Sequence, residues 1–333
     1  MIWLTWRQFR AQAVVAAAVL ALLAIILAIT GPQLVHLYDT NVATCQSHGD
    51  CAAARSLVTS HDHFLQQIIG YILLAIPGIV GAFWGAPLIS RELEAGTYRL
   101  VWNQSVTRTR WLVIKLLVIG LASMAAAGLL SLIVSWWFSP IDHVTMNRIL
   151  PGTFDQRGIV PIAYAAFAFA LGVTAGVLIR RAVPAIAITL AIFAAVQVIM
   201  PNWVRPNLIP PVHSTVALTA ATLSNSSVFL PVQDTSGPVT VTVTLTGAWV
   251  LSEGQAVNSS GKVAEDVGAI CSAAIKTEGN LDGCVASQHL STPVTYQPVS
   301  RFWSLQWYES GIYLGLAIVL AGFCFWWTRR RLT

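Results

Sequence analysis

Residues 89–115 read Ile89-Ser-Arg-Glu-Leu-Glu-Ala-Gly-Thr-Tyr-Arg-Leu-Val-Trp-Asn-Gln-Ser-Val-Thr-Arg-Thr-Arg-Trp-Leu-Val-Ile-Lys115. Arg91, Glu92, Glu94, Arg99, Arg108, Arg110 and Lys115 concentrate here, in a chain that is only 10% charged. A long apolar run lies on either side, so the stretch is a charged elbow between two membrane helices. Its basic residues suit a cytoplasmic loop, because Lys and Arg set the orientation of membrane helices. Glu92 and Glu94 contribute nothing to that rule. Two readings of them stand: contact with a partner, or salt bridges within the elbow.

Outward from the elbow the chain is 56% hydrophobic, with mean hydropathy +0.67. Its five or six apolar runs each approach the ~20 residues that cross a bilayer as a helix. This defines a polytopic α-helical membrane protein and excludes a soluble one. It also excludes a β-barrel, whose strands are alternating segments of about ten residues. The net charge of +5 sits at membrane boundaries rather than on a soluble basic face, which argues against nucleic-acid binding.

Taken in order, residues 1–10 suit a short interfacial helix. A first membrane helix follows from about Ala11 to Gly31, an uncleaved anchor that Gly31-Pro32 stops. Residues 33–64 are expected as a polar loop, where Cys45 and Cys51 are free to close a small ring. His61-Asp62-His63 in the same loop lacks a third ligand at a recognisable spacing, so no metal site is assigned. The second helix, about Phe64 to Leu88, carries Pro77-Gly78 as a kink and Gly81-x-x-x-Gly85 as a smooth packing face. Helix three runs from about Trp111 to Trp137 and ends in an aromatic belt, Trp136-Trp137.

A short outer loop, 139–157, leads to helix four, 158–179, with Gly172-x-x-x-Gly176. The turn at Arg180-Arg181 makes helices four and five antiparallel neighbours. Helix five spans about Ala182 to Met200 and ends in a Pro-rich exit. Residues 204–306 contain no spanning run; Val239-Thr-Val-Thr-Val-Thr-Leu-Thr alternates as a strand does, and 262–276 reads as an amphipathic helix. The last helix, about Trp307 to Trp327, stops at Arg329-Arg330-Arg331.

Two patterns support one topology, with both termini cytoplasmic. Twelve of the nineteen Lys and Arg residues fall inside, while every acid except Glu92 and Glu94 falls outside. Cys45, Cys51, Cys271 and Cys284 also fall outside, where disulfides form, and Cys324 lies within the last helix. Four cysteines permit three pairings.

Arg91-Glu-Leu-Glu-Ala-Gly-Thr97, followed by Ser105-Val-Thr-Arg108 and a new hydrophobic helix, resembles the segment after the second membrane helix of the type-2 ABC exporter permeases. The resemblance covers the six-helix core, extends to the ABCG-like members, and in its Ala-rich composition is similar to actinobacterial ones. It implies an all-α polytopic membrane protein with six transmembrane helices, a cytoplasmic coupling helix in the elbow 89–110, and an extracellular α+β insertion between helices five and six. The divisions are then 1–203, 204–306 and 307–333. It further implies that Arg91, Glu92, Leu93, Glu94, Tyr98, Arg99 and Leu100 contact a separate ABC ATPase subunit. Such permeases work as two halves, so the second is another copy of this chain or a related one.

Function follows from what the runs lack. The spanning runs carry essentially no ionisable residue near mid-bilayer; Lys115 and Glu309 lie near helix ends, where a long side chain reaches the interface. An ion-gradient transporter is therefore disfavoured. No Gly-x-x-x-x-Gly-Lys-Ser/Thr loop occurs in the chain, so ATP and Mg belong on the partner. The expected function is export of an amphipathic or apolar substrate across the cell membrane, with no catalytic residue and no cofactor in this chain. Pro77, Gly78, Gly81, Gly85, Gly172 and Gly176 are its packing or hinge positions. A ligand-binding receptor without ATP coupling is the competing class, although only a short basic stretch follows the last run. A membrane enzyme would have to use His61, Asp62 and His63, or Asp142 and His143, none of them in a recognisable nucleophile motif.

Overall fold

The computed structural model describes residues 2–45, 51–61, 63–96, 108–223, 227–229, 240–264, 267, 271 and 281–331. The expectations for Tyr98, Arg99 and Leu100, for Asp62, and for most of the helix at 262–276 fall outside them. The chain divides into two compact units. The first is Met1–Thr145, Pro151–Arg205 and Trp303–Thr333; the second is Met146–Leu150 and Pro206–Phe302.

The first unit is helical. Helix α1 (Ile2–Tyr38) runs on through a π-helical turn, Asp39–Ala43, and α2 covers Ala52–Ser60. Helix α3 (His63–Val80), a π-helical turn (Gly81–Gly85) and α4 (Ala86–Glu94) form one continuous rod. Then come α5 (Arg108–Trp137), α6 (Ser139–Thr145) and α7 (Val160–Ile179). Helix α8 (Ala182–Ile199) passes through a third π-helical turn, Met200–Val204, into α9 (Arg205–Leu208), and α10 is Phe302–Arg331. Among the described residues six stretches are long and apolar enough to cross a membrane: Phe9–Ala43, His63–Glu94, Arg110–Trp137, Val160–Ile179, Ala182–Leu208 and Val299–Arg330. They are called spans one to six below.

Several local stop signals are overridden by packing. There is no separate interfacial helix at 1–10, because α1 is continuous. Nor does Gly31-Pro32 end it: Pro32 lies inside the helix, and the bare Cα of Gly31 leaves room for Trp136, whose ring would meet an added Cβ at 2.7 Å. The indole of Trp137 donates to Thr30 Oγ1 at 2.9 Å and is buried, so it is a core side chain rather than part of a belt; Trp136 stays exposed. The expected loop 33–64 is largely helical, and the expected loop 139–157 contains α6 and a 3-10 turn, Phe154–Gln156. Pro201 does not end span five, since the chain absorbs it in a π-helical turn.

Span four is the hub, buried almost throughout from Val160 to Val177 and packed on spans two, three and five. A helix apolar on every side belongs at the centre of such a bundle. At one end of the unit Phe9, Trp84, Ile89, Trp111, Leu112, Val177 and Cys324 form one cluster, with Leu93 and Trp327 against it. This gathers the starts of spans one and three, the elbow, and the ends of spans four and six. At the other end Leu34, Val42, Trp137, Phe138 and Ile141 pack together.

The second unit is built on strands β1 (Val212–Ala217), β2 (Ser227–Phe229), β3 (Thr240–Thr242), β4 (Ala248–Glu253) and β5 (Ser291–Pro298). Strand β5 is central in an antiparallel sheet of order β1-β5-β4. Val212 pairs with Tyr296, and a register shift falls between Val250 and Ser252. Strands β2 and β3 pair separately. Val241 and Val243 are buried while Thr242 and Thr244 are exposed, the alternation that the sequence displays. Their partners in the core include Leu218, Val267, Cys271, Val285 and Val294. Disulfides join Cys45 to Cys51 and Cys271 to Cys284.

Candidate functional site

The elbow begins at a backbone defect. Pro87 opens α4 and has no N–H to give the carbonyl of Phe83 one turn earlier. The side chain of Gln12, on span one, supplies the donor: its Nε2 reaches Phe83 O at 3.4 Å. The helix ends where Gly96 takes φ +68°, a left-handed conformation that favours glycine.

Within α4 the charged residues face different ways. Arg91 and Glu94 are exposed, and Leu93 is half-buried in the cluster around Phe9 and Trp111. Glu92 turns inward, with Oε1 2.5 Å from Lys115 Nζ of span three. Lys115 also donates to Leu88 O at 3.4 Å and lies over the Trp111 ring. It is only 3% exposed, so it does not reach for the interface as its place near a helix end suggested. Glu92 thus makes an internal salt bridge, as one of its two readings expects.

The glycines of spans two and four face each other. A Cβ on Gly81 would collide with the Ala168 carbonyl, one on Gly172 with the Gly81 carbonyl, and one on Gly176 with the Ala86 carbonyl. A Cβ on Gly85 would sit 2.6 Å from Phe169 O, and one on Gly78 would sit 2.6 Å from the Phe193 ring. The two small-residue faces thus bring backbone against backbone. Pro77 is buried four residues before the π-helical turn, which places the local irregularity of span two beside this contact.

At the opposite end lies an ionic cluster that corrects the expectation for charges near helix ends. Arg205, at the end of span five, is 0% exposed. Its Nε meets Glu309 Oε2 at 2.7 Å and its Nη2 meets Glu309 Oε1 at 2.9 Å. Nη2 also contacts Asp155 Oδ1. The Tyr164 hydroxyl of span four lies 2.7 Å from Asp155 Oδ1 and 2.6 Å from Glu309 Oε1, and the guanidinium stacks on Phe154. Glu309 is therefore fully buried on span six rather than reaching for the interface. Beside this cluster Arg157 pairs with Asp142 over the Phe138 ring, and burial pushes its guanidinium down to about 9.

Gln306, one turn before Glu309, completes the arrangement. Its Nε2 donates to Phe154 O and Arg157 O, and its Oε1 accepts from the N–H groups of Ile159 and Val160 at 3.0 Å. It thereby satisfies the first N–H groups of span four, which no residue within that helix can reach. Gln306, Glu309, Ser310 and Tyr313 follow helical spacing, i, i+3, i+4 and i+7. That polar stripe was the available signal for the cluster on span six.

Between spans one and two runs an apolar cleft of about 530 Å³, lined by Val15, Val19, Ile76, Ile79 and Phe83 and closed at the elbow by Gln12 and Arg91. Such a volume is ordinary for a small-molecule or lipid site.

Six apolar spans, one of them close-packed at the centre of the bundle, joined by buried ion pairs and bearing an apolar cleft, define a multi-pass membrane protein. The chain belongs to the ABC-2 membrane transporter related family, whose model matches residues 17–205. No curated protein and no solved structure matches it.

Proposed function

We propose that this chain is the membrane-spanning permease subunit of an ATP-driven exporter, working with a separate ATPase and a second permease half. The observation that carries the reading is the buried Glu92–Lys115 pair. It ties the elbow to span three, so a push on the exposed face of α4 reaches two spans at once. Glu94 on that face is the proposed ATPase contact, together with Tyr98, Arg99 and Leu100, which follow it in the sequence. ATP and Mg are held by the partner, since this chain has no phosphate-cradling loop. The elbow lies on the cytoplasmic side and the second unit outside, in keeping with the opposed distribution of basic and acidic residues. Span two, with the Pro77 kink and π-helical turn, is the proposed moving element, and the cargo is amphipathic or apolar.

The test is affinity purification of the tagged chain from native membranes in mild detergent, alone and as Glu94→Lys/Arg99→Glu. A P-loop ATPase is expected with the first and lost with the second. If no ATPase accompanies the unaltered chain, the reading loses its energy source and ligand binding without ATP coupling takes its place.

A further inference from the structure

Phe83, Pro87 and Arg91 are four residues apart and share one face of span two, and all three line the cleft between spans one and two. The apolar wall built from Ile76, Ile79 and Phe83 therefore ends in a guanidinium. Arg91 is exposed and makes no ion pair with any described residue, whereas nearby Glu92 is engaged by Lys115. A second hollow of about 240 Å³ adjoins the first, sharing Gln12, Trp84, Pro87 and Arg91. From Ile76 to Arg91 the helix rises about 22 Å at ~1.5 Å per residue. That is the depth of one leaflet of a ~30 Å hydrocarbon core plus a headgroup.

We propose that this cleft binds a membrane lipid with an anionic headgroup, its acyl chain lying along Val15, Val19, Ile76 and Ile79 and its headgroup on Arg91. Charge complementarity selects the headgroup: among the described residues lining the cleft the one charged side chain is the Arg91 cation, with Gln12 as a neutral polar group, and the Glu92 carboxylate that also lines the adjoining hollow is paired with Lys115. The exposed apolar side chains of both spans select the source, since the cleft opens where acyl chains are. Calling this lipid the exported cargo rests on the transport reading above; the binding does not. Arg91 then recognises cargo instead of touching the ATPase.

The experiment uses the full chain in lipid nanodiscs without any ATPase. The probes are a photoactivatable phosphatidic acid and its phosphatidylcholine counterpart, with labelled residues located by mass spectrometry. The expected result is labelling confined to residues 11–20 and 76–91, with the anionic probe favoured about tenfold, as one charge-assisted hydrogen bond allows. Arg91→Gln brings the anionic probe down to the level of the zwitterionic one. Ile79→Trp, at a half-exposed position that tolerates bulk, lowers both. Equal labelling by the two probes, labelling spread over all six spans as ordinary surrounding lipid gives, or cross-links to a second copy of the chain in its place overturns the proposal. Loss of labelling with the ATPase still co-purifying removes this site alone, and labelling without an ATPase keeps the site and removes the cargo assignment.

Discussion

Replacing Glu309 with Gln tests the buried ionic cluster most directly. The change keeps the shape of the side chain and removes its charge. Arg205 then loses the partner of two of its carboxylate contacts, at 2.7 and 2.9 Å, and at 0% exposure no water takes their place. Taking one partner from a buried pair costs about 3–5 kcal/mol. Asp155 remains against Nη2, which puts the expectation at the lower end, about 3 kcal/mol. For a cooperative unit of about 150–250 residues, the range into which the first unit falls, each kcal/mol moves the midpoint by about 2–4 °C, so apparent melting falls by roughly 6–12 °C. Thermal unfolding of the purified protein in detergent, followed by tryptophan fluorescence, measures it. Arg205→Gln combined with Glu309→Gln is expected to melt well above the sum of the two single effects, because neither charge is then left facing nothing. A loss under about 2 °C for Glu309→Gln, or strict additivity in the pair, refutes the claim that the cluster holds spans four, five and six together.

Gly172→Leu forces the Gly81 carbonyl away and is expected to cost about 2–3 kcal/mol through overpacking, whereas Gly311→Leu, with nothing within 4 Å, leaves the melting curve nearly unchanged. Lys115→Met takes the buried ammonium away from Glu92 and costs about 3 kcal/mol; adding Glu92→Leu recovers most of it, as the same melting assay reports. Cys271→Ser with Cys284→Ser opens a ring closed across a sequence separation of 13 and lowers the stability of the second unit by roughly 3 kcal/mol, read as faster proteolysis within 206–302. Trp137→Phe deletes the bond to Thr30 and costs about 1 kcal/mol.

The six spans were legible because apolar length is a local property of the chain, and so were the alternating Val and Thr at 240–244. Their ends were not, because packing decided them. Gly31-Pro32 is a stop by its own chemistry, yet the Trp136 and Trp137 side chains against it keep the helix going. The small faces at Gly81 and Gly172 were readable one at a time, but only the fold brings each against the other's backbone. The ionic cluster was missed because Asp155, Arg205 and Glu309 are far apart in sequence and sit at the ends of elements. There a charge reads as interfacial until a partner from another span is in place. Lys115 misled in the same way, since nothing local announces Glu92 as its partner.

The amide of Gln306 has two donors and an acceptor oxygen with two lone pairs, and all four capacities are spent on the start of span four and the turn before it. A register slip of one residue between spans four and six would turn that side chain by about 100° and open every one of these bonds together. Small displacements there gain nothing and meet a steep restoring force. The two helices consequently behave at this end as a single strut, to which Arg205 ties the end of span five.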